Sequence, residues 1–567
     1  MLLQRLCEYA DRLDATPVMY LTSPVRWLID LDSAGHLVGF VKTDGAGKKK
    51  DRGKEFCVPH VGRSSGVRAK LLADNGEYVL GVAREKSKPE RVAECHEAFV
   101  AEVRKCAAAT GEPIVQVVLD FLERLDLSSL KLPDDFDPAD VCTFRIAGRL
   151  PVDSLAVQNY WASASGGDDA DKPADVMQCL ICGHHKPPLR RLPFKIKRIP
   201  GGQTSGTALI SANSPAFESY GLEASLIAPT CADCGERFSK AANALIDADD
   251  THITIGPLVY LFWTKQERPF SVASLLSNPE PAEVRTLIES AFSGRRAAAQ
   301  VDETPFYATA FSASGARVAV RDWLDTTIAS TRQNLARYFA LQQLVDRDGC
   351  AGPPLGIYAL AVATVRDTRD LMPNVPKALL HLALKGGPLP KAILYQAVKR
   401  NRAEQLITRP RAVLIKMVFL SHQLTLSQED TMVQLETDNR DPAYLCGRLL
   451  AVLESVQQRA VPNANATITD RFFGTASSAP ASVFGNLVRK SQAHLAKLRK
   501  ERPGTEHALQ AKLEAVLADL KTFPKTLTLE QQGLFGLGYY HQRAQDRADA
   551  VARRQEKEEH EAADAGH

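Results

Sequence analysis

The stretch Cys179-Leu-Ile-Cys182-Gly183, answered by Cys231-Ala-Asp-Cys234-Gly235, decides how the front half of this 567-residue chain is read. Each Cys-x-x-Cys-Gly turn aims two thiolates at one point, and tetrahedral zinc asks for two such pairs. With 48 residues between the pairs, one ion would staple two distant segments and hold a loop between them. Reduced spectator thiols and a redox pair stay open as readings of the same cysteines, although neither pair sits in a thioredoxin-like unit. His184 and His185 follow the first knuckle and offer a substitute ligand or plain surface residues.

Working outward, the held loop is basic. Leu189-Arg-Arg-Leu-Pro-Phe-Lys-Ile-Lys-Arg198 alternates apolar and cationic residues, which predicts a half-buried strand with Lys195, Lys197 and Arg198 exposed. Ile199-Pro-Gly-Gly-Gln-Thr-Ser-Gly206 follows, a glycine loop that lets backbone approach a phosphate or base edge with Gln203 as donor and acceptor. Neither a P-loop nor a Gly-x-Gly-x-x-Gly helix opening is present in the sequence. Ser214-Pro predicts a helix start.

Upstream, residues 25–32 and 36–42 predict a hairpin, residues 77–82 a strand, residues 91–125 two amphipathic helices and residues 142–148 another strand. A basic loop between strands carries Lys48, Lys49, Lys50, Arg52 and Lys54, either as a phosphate contact or as a solvated tip. Arg63, Ser64, Arg68, Lys70 and Asn75 gather near the strand as candidate nucleic-acid contacts, arginine and asparagine for base edges, serine and lysine for phosphates. Asn75-Gly76 also reads as a hairpin turn. Downstream, residues 256–264, 307–311 and 317–323 predict strands, and from residue 325 the periodicity is helical.

The fold expectation is therefore α+β: a mixed N-terminal α/β domain with a zinc-stapled insertion, then an all-α bundle. Residues 1–172 form the N-terminal mixed α/β region, 173–325 the knuckle and glycine-loop region, 326–430 a helical region and 431–567 the C-terminal bundle. Hydrophobic residues are 45% and charged residues 24% of the chain, the balance of a soluble globular protein. A formal charge of +3 puts any nucleic-acid contact on local patches rather than on an overall field. The opening residues read as an amphipathic helix, not a signal peptide, and the apolar run 355–365 is too short to span a bilayer, so the expected location is cytoplasmic.

The string Asp441-Pro-Ala-Tyr-Leu-Cys-Gly-Arg-Leu-Leu-Ala-Val-Leu-Glu-Ser-Val-Gln-Gln-Arg-Ala460 closely resembles a hallmark of the large subunit of the type I-C CRISPR Cascade effector. Further blocks resemble the same family in the same order: Met1-Leu-Leu-Gln-Arg-Leu6, Leu71-Leu-Ala-Asp-Asn-Gly-Glu-Tyr-Val-Leu-Gly81, the Cys179 knuckle and Gly201-Gly-Gln-Thr-Ser-Gly206. They continue with Ile210-Ser-Ala-Asn-Ser-Pro-Ala-Phe-Glu-Ser-Tyr-Gly221, Asp470-Arg-Phe-Phe-Gly-Thr-Ala-Ser477 and Leu534-Phe-Gly-Leu-Gly-Tyr-Tyr-His-Gln-Arg543. The complete second cysteine pair departs from the family pattern and marks a metal-stapled variant or a related subgroup.

The resemblance implies a non-enzymatic subunit that reads a protospacer-adjacent motif in duplex DNA, helps open the duplex, holds the displaced strand and recruits a separate helicase-nuclease. It makes residues 1–172 the candidate recognition region, with Arg63, Ser64, Arg68, Lys70 and Asn75 as its candidate readers. Implied partners are the guide CRISPR RNA, the backbone, guide-processing and small subunits, and target DNA. Implied too is an internal start, at Met432 rather than at Met417 inside an apolar run, yielding a free small subunit. Arg489, Lys490, Lys497, Arg499, Lys500 and Arg502 are the expected displaced-strand surface. The competing expectations are a zinc-dependent nuclease using His184, His185 or His252, and a guide-independent helical adaptor.

Overall fold

The computed structural model describes residues 1–13, 16–45, 51–61, 63, 66–164, 176–212, 214–292, 303–423 and 432–564. Of the residues singled out above, Lys48, Lys49, Lys50 and Ser64 lie outside that description. The chain divides into two compact units, one of residues 1–247 with 309–323 and the other of 248–308 with 324–567.

The first unit begins with helix α1 (Leu2–Ala10), followed by strands β1 (Tyr20–Val25), β2 (Trp27–Leu31), β3 (Leu37–Lys42), β4 (Lys54–Pro59) and β5 (Ala73–Asn75). Helices α2 (Gly76–Val79), α3 (Pro89–Thr110) and α4 (Pro113–Glu123), strand β6 (Val141–Ile146) and helix α5 (Leu155–Ala164) come next. The short strands β7 (Met177–Gln178) and β8 (His185–Lys186) and helix α6 (Ala232–Asp247) follow. The predicted hairpin forms as β2 antiparallel to β3, with Trp27 opposite Lys42. β2 also pairs in parallel with β6, and β5 closes the sheet in the order β3-β2-β6-β5. A parallel pair needs a long crossover, which α3 and α4 supply. Proline opens both helices, and Gly111 ends α3 at φ +64°, a left-handed cap that favours glycine. Phe99 and Phe121 from these helices bracket Phe144 of β6 at ring distances of 6.5 and 6.2 Å, all inside one buried cluster. Fully burying such a ring contributes about 2–3 kcal/mol.

Residues 77–82 are not the expected strand. Their β-forming side chains fold as α2 because the Asn75 side chain accepts the Tyr78 N–H at 3.3 Å and caps a helical turn. Asn75 is therefore a cap, not the corner of a hairpin.

The second unit holds β9 (His252–Ile255) antiparallel to β10 (Leu258–Thr264), then α7 (Val272–Ser277) and α8 (Pro281–Phe292). Strands β11 (Pro305–Ser314) and β12 (Arg317–Thr327), whose residues 309–323 belong to the first unit, lead into α9 (Ile328–Gln342), α10 (Ile357–Val362), α11 (Asn374–Lys385), α12 (Lys391–Glu404) and α13 (Arg409–Ser421). After these come α14 (Pro442–Ala460), α15 (Ile468–Ala476), α16 (Phe484–Glu501), α17 (Pro503–Asp519) and α18 (Leu529–Asp564). Helix α14 is buried along most of its length and packs on α18, which α12 and α13 also touch. Their backbones meet through glycines: a Cβ on Gly447 would lie 2.0 Å from the Phe535 carbonyl oxygen, and one on Gly538 would lie 2.2 Å from that of Tyr444. Side-chain bonds lock the pair, with Tyr539 donating to Glu454 at 2.6 Å and Tyr444 bonded to His541 at 2.9 Å. The α+β class with a helical C-terminal region is the architecture found.

Candidate metal centre and nucleic-acid interface

The first knuckle is a two-strand clip, β7 antiparallel to β8. Between them the Gly183 N–H donates to the Cys179 carbonyl and the Cys179 N–H to the His184 carbonyl, both at 2.9 Å. Gly183 sits at φ +74°, so a side chain there would strain the turn. The second pair is built differently. Cys231 immediately precedes helix α6 and Cys234 lies in its first turn, where the positive end of the helix dipole favours thiolates. Gly235 is thus helical and packs against Leu192, which lies 3.3 Å from where a Cβ would stand.

Backbone bonds stitch the two pairs together, Leu180 N–H to the Pro229 carbonyl and Leu189 N–H to that of Thr230, each 2.9 Å. All four sulfurs fall within 4.8 Å of one another, and Cys182 and Cys231 are 4.0 Å apart. A tetrahedral thiolate site with metal–sulfur bonds of about 2.3 Å needs sulfurs about 3.8 Å apart, so the four residues fit a metal ion. Burial foremost raises the Cys182 thiol, and the hydrogen bond with Cys234, then burial, raises that of Cys231. An ion entering here must displace protons, which makes its binding pH-dependent. His184 and His185 are exposed on the clip and stay outside the cluster.

Sequence reasoning missed what α1 does here. The Cys7 thiol donates to the Cys234 carbonyl at 3.6 Å, Gln4 donates to the Ile181 carbonyl at 3.1 Å, and Arg237 of α6 donates to the Cys7 carbonyl at 2.9 Å. The opening helix thus grips both halves of the knuckle across more than 170 residues, for which an amphipathic pattern carries no signal.

Helix α6 also positions the basic segment. Residues 189–198 do not form the expected strand, because only Ile196 finds a bridge partner, Thr207. The alternation survives: Phe194, Ile196 and Ile199 are buried while Lys195, Lys197 and Arg198 are exposed. Asn243 stands in for a neighbouring strand, accepting the Lys197 N–H at 2.8 Å and donating to the Lys195 carbonyl at 3.0 Å. Arg198 pairs with Asp247 at 2.7 Å. Gly206, at φ +97°, closes the glycine loop where a Cβ would meet that of Lys195 at 2.8 Å, and Gln203 is exposed in it. Ser214-Pro starts only a three-residue 3-10 turn, and the serine side chain caps nothing. The segment after the glycine loop is held instead by Arg317, which donates to the Ser211 carbonyl at 3.2 Å and lies 4.0 Å over the Phe217 ring.

The motif-reading candidates are brought together, but not all of them are available. Arg63 donates to both oxygens of buried Asp74, gives a further bond to the Arg68 carbonyl at 2.7 Å, and lies 4.0 Å over the Tyr78 ring. The Asp74 carboxylate also accepts the Lys70 and Asn75 N–H groups at 2.9 Å, so one buried acid organises the segment. Burial pushes the Lys70 ammonium below its ordinary range. His60 links this segment to the basic one. Burial and then the charges of Lys70, Lys197 and Arg63 bring its imidazole down to about 4, and its ring lies 6.0 Å from Phe194. In the basic loop, Asp51 ties the described base through the Gly53 and Gly45 N–H groups at 2.9 and 2.8 Å and through Arg26, while Arg52 and Lys54 are exposed.

A family model described as CRISPR-associated protein (Cas_Csd1) matches residues 5–546. The chain belongs to that family. Comparison with curated proteins finds no match. The resemblance carried by the Asp441 and Leu534 blocks thus extends over almost the whole Csd1-family chain, and those two blocks are the α14 and α18 segments that pack together. Among the described residues no helix is long and apolar enough to cross a membrane.

In the Csd1-family bundle, Arg489, Lys490, Lys497, Arg499, Lys500 and Arg502 are exposed on α16 and just beyond it. Arg499 is tied to Glu506 at 2.7 Å and Lys497 donates to the Ala460 carbonyl at 2.9 Å, which leaves Lys490, Lys500 and Arg502 as the less engaged cations. His252, offered above as a catalytic base, is bonded to the Ala248 carbonyl at 2.8 Å.

Proposed function

We propose that this Csd1-family chain is the large subunit of a type I-C Cascade complex, which reads the protospacer-adjacent motif in duplex DNA, helps open it and holds the displaced strand. In such a division of labour the guide RNA reads the target by base pairing while protein reads only the short adjacent motif. The family match over residues 5–546 carries the reading. Supporting it, Lys195, Lys197 and Arg198 are exposed together on the basic segment, which suits a platform for duplex phosphates. Lys195, Lys197, Arg198 and Gln203 are our candidates for nucleic-acid or guide contact, and Arg68, Lys70 and Asn75 for the motif, with Arg63 acting through its Asp74 pair.

The metal is zinc in a structural role. Four thiolates leave it no open position for water, so the chemistry favours binding and recruitment of a separate helicase-nuclease over hydrolysis by this chain. Guide CRISPR RNA, the backbone and guide-processing subunits and a small subunit are the partners this reading requires. Met432 is the internal start we propose for a separate small subunit.

Co-expression with the neighbouring subunits and sequencing of bound RNA tests the reading. Uniform repeat-spacer transcripts, with guide-dependent duplex binding and no cleavage in magnesium or manganese, are expected. Cleavage by the chain alone, or random RNA, would contradict it.

A further inference from the structure

In the second unit, α14, the junction of α16 with α17, and α18 line an open cleft of about 460 Å³. Arg459 reaches it from the last turn of α14, Arg502 from the helix junction, and Arg543 and Arg547 from successive turns of α18. Four guanidinium groups therefore line one cleft. Asp546 is the one carboxylate of the lining, and it already holds Lys512 at 2.6 Å and accepts from Gln542 at 3.0 Å.

The arginines differ in how they are held. Arg543 is oriented by Ser455 and Gln458, to which it donates at 3.2 and 3.3 Å, and its Nε lies 3.6 Å from Glu454. Arg547 donates to a carbonyl, that of Arg347, at 3.4 Å. Among the described residues no carboxylate pairs with Arg459 or Arg502, and both are exposed. Gathering four like charges around one carboxylate that is already engaged leaves an excess of positive charge that opposes folding, and an anionic ligand offsets it. Arg502 is also the N-cap of the 17-residue helix α17, whose positive end adds to the field. The guanidinium fork matches the oxygens of a phosphate group bidentately, and polar Ser455 and Gln458 complete a lining suited to phosphate rather than to an apolar ligand.

We infer that this cleft is a phosphate-binding site, with Arg459 and Arg502 as its free cations and Arg543 as its pre-oriented one. The phosphate belongs to a single-strand backbone or to a free polyphosphate; that the strand is displaced target DNA rests on the function proposed above.

The test uses the full chain, a labelled single-stranded oligonucleotide and tripolyphosphate, with R459Q/R502Q as the cleft variant and K490Q/K500Q as the surface variant. The cleft variant is expected to bind the strand on the order of tenfold more weakly. Its salt dependence should flatten by about 0.7 in slope for each phosphate that the variant no longer neutralises. Tripolyphosphate should raise the melting temperature of the parent and not of the cleft variant. Loss of the tripolyphosphate response with strand binding intact keeps the cleft and assigns it to free phosphate. If only the surface variant weakens strand binding, and the normally folded cleft variant responds to tripolyphosphate like the parent, the cleft is overturned while the displaced-strand function stands.

Discussion

The knuckle region and the helical bundle solve the same problem by opposite means. Residues 177–206 contain two-residue strands, glycines and a row of exposed cations around scattered buried anchors such as Phe194 and Ile196, so a four-thiol cluster, α1 and the Asn243 clamp add order that regular elements do not supply. The pair α14 and α18 has no such staple and is fixed by an approach so close that glycine backbones touch. A short irregular segment that exposes positive charge lends only single side chains such as Leu189 and Phe194 to the core, whereas a long helix can give a whole face to it.

The contrast is broken most severely by removing the metal. Chelation, or Cys182→Ser with Cys234→Ser, should release residues 177–206 to rapid hydrogen exchange while α14 and α18 stay protected. Structural zinc contributes on the order of 10 kcal/mol to such sites at neutral pH. Equal loss of protection in both regions would refute the division. Next in size, Phe144→Ala should destabilise the first unit by about 3–5 kcal/mol, read by denaturant titration, since it empties the space between Phe99 and Phe121. Gly447→Ala should cost the second unit about 1–3 kcal/mol, since the new methyl meets the Phe535 carbonyl; an unchanged melt would mean the helices are not in backbone contact.

Smaller still, Asn243→Ala removes the bonds to Lys195 and Lys197 and should cost about 1 kcal/mol, with faster exchange at the Lys197 amide. Acid sharpens the comparison from another side. His60 falls from the ordinary 6.5 to about 4 on folding, so the unfolded chain takes up its proton first as pH drops. The stability that rests on its neutral form is complete above 6.5 and is lost as pH falls toward 4. His60→Leu should flatten that part of the stability curve.

These differences also explain what could be read beforehand. Cysteine spacing, the hairpin over residues 25–42 and the C-terminal helices are legible because local chemistry and periodicity specify them. Residues 77–82 mislead because Tyr78 and Val79 favour strands, while a single capping bond from Asn75 decides for helix. Residues 189–198 show true alternation but no partner strand, a role that Asn243 takes from 46 residues away. Arg63 looks like a base reader until buried Asp74 is seen to hold it. Cys7 beside the knuckle and the arginines converging from α14 and α18 are products of tertiary packing, which no linear spacing announces.

Metal content, measured by mass spectrometry on the intact chain and on the Cys182→Ser/Cys234→Ser variant, tests the thiolate clamp most directly. One zinc per parent chain, absent from the variant, is the predicted result. A metal-free parent whose four knuckle thiols react freely with maleimide while residues 177–206 remain protected from exchange would contradict it.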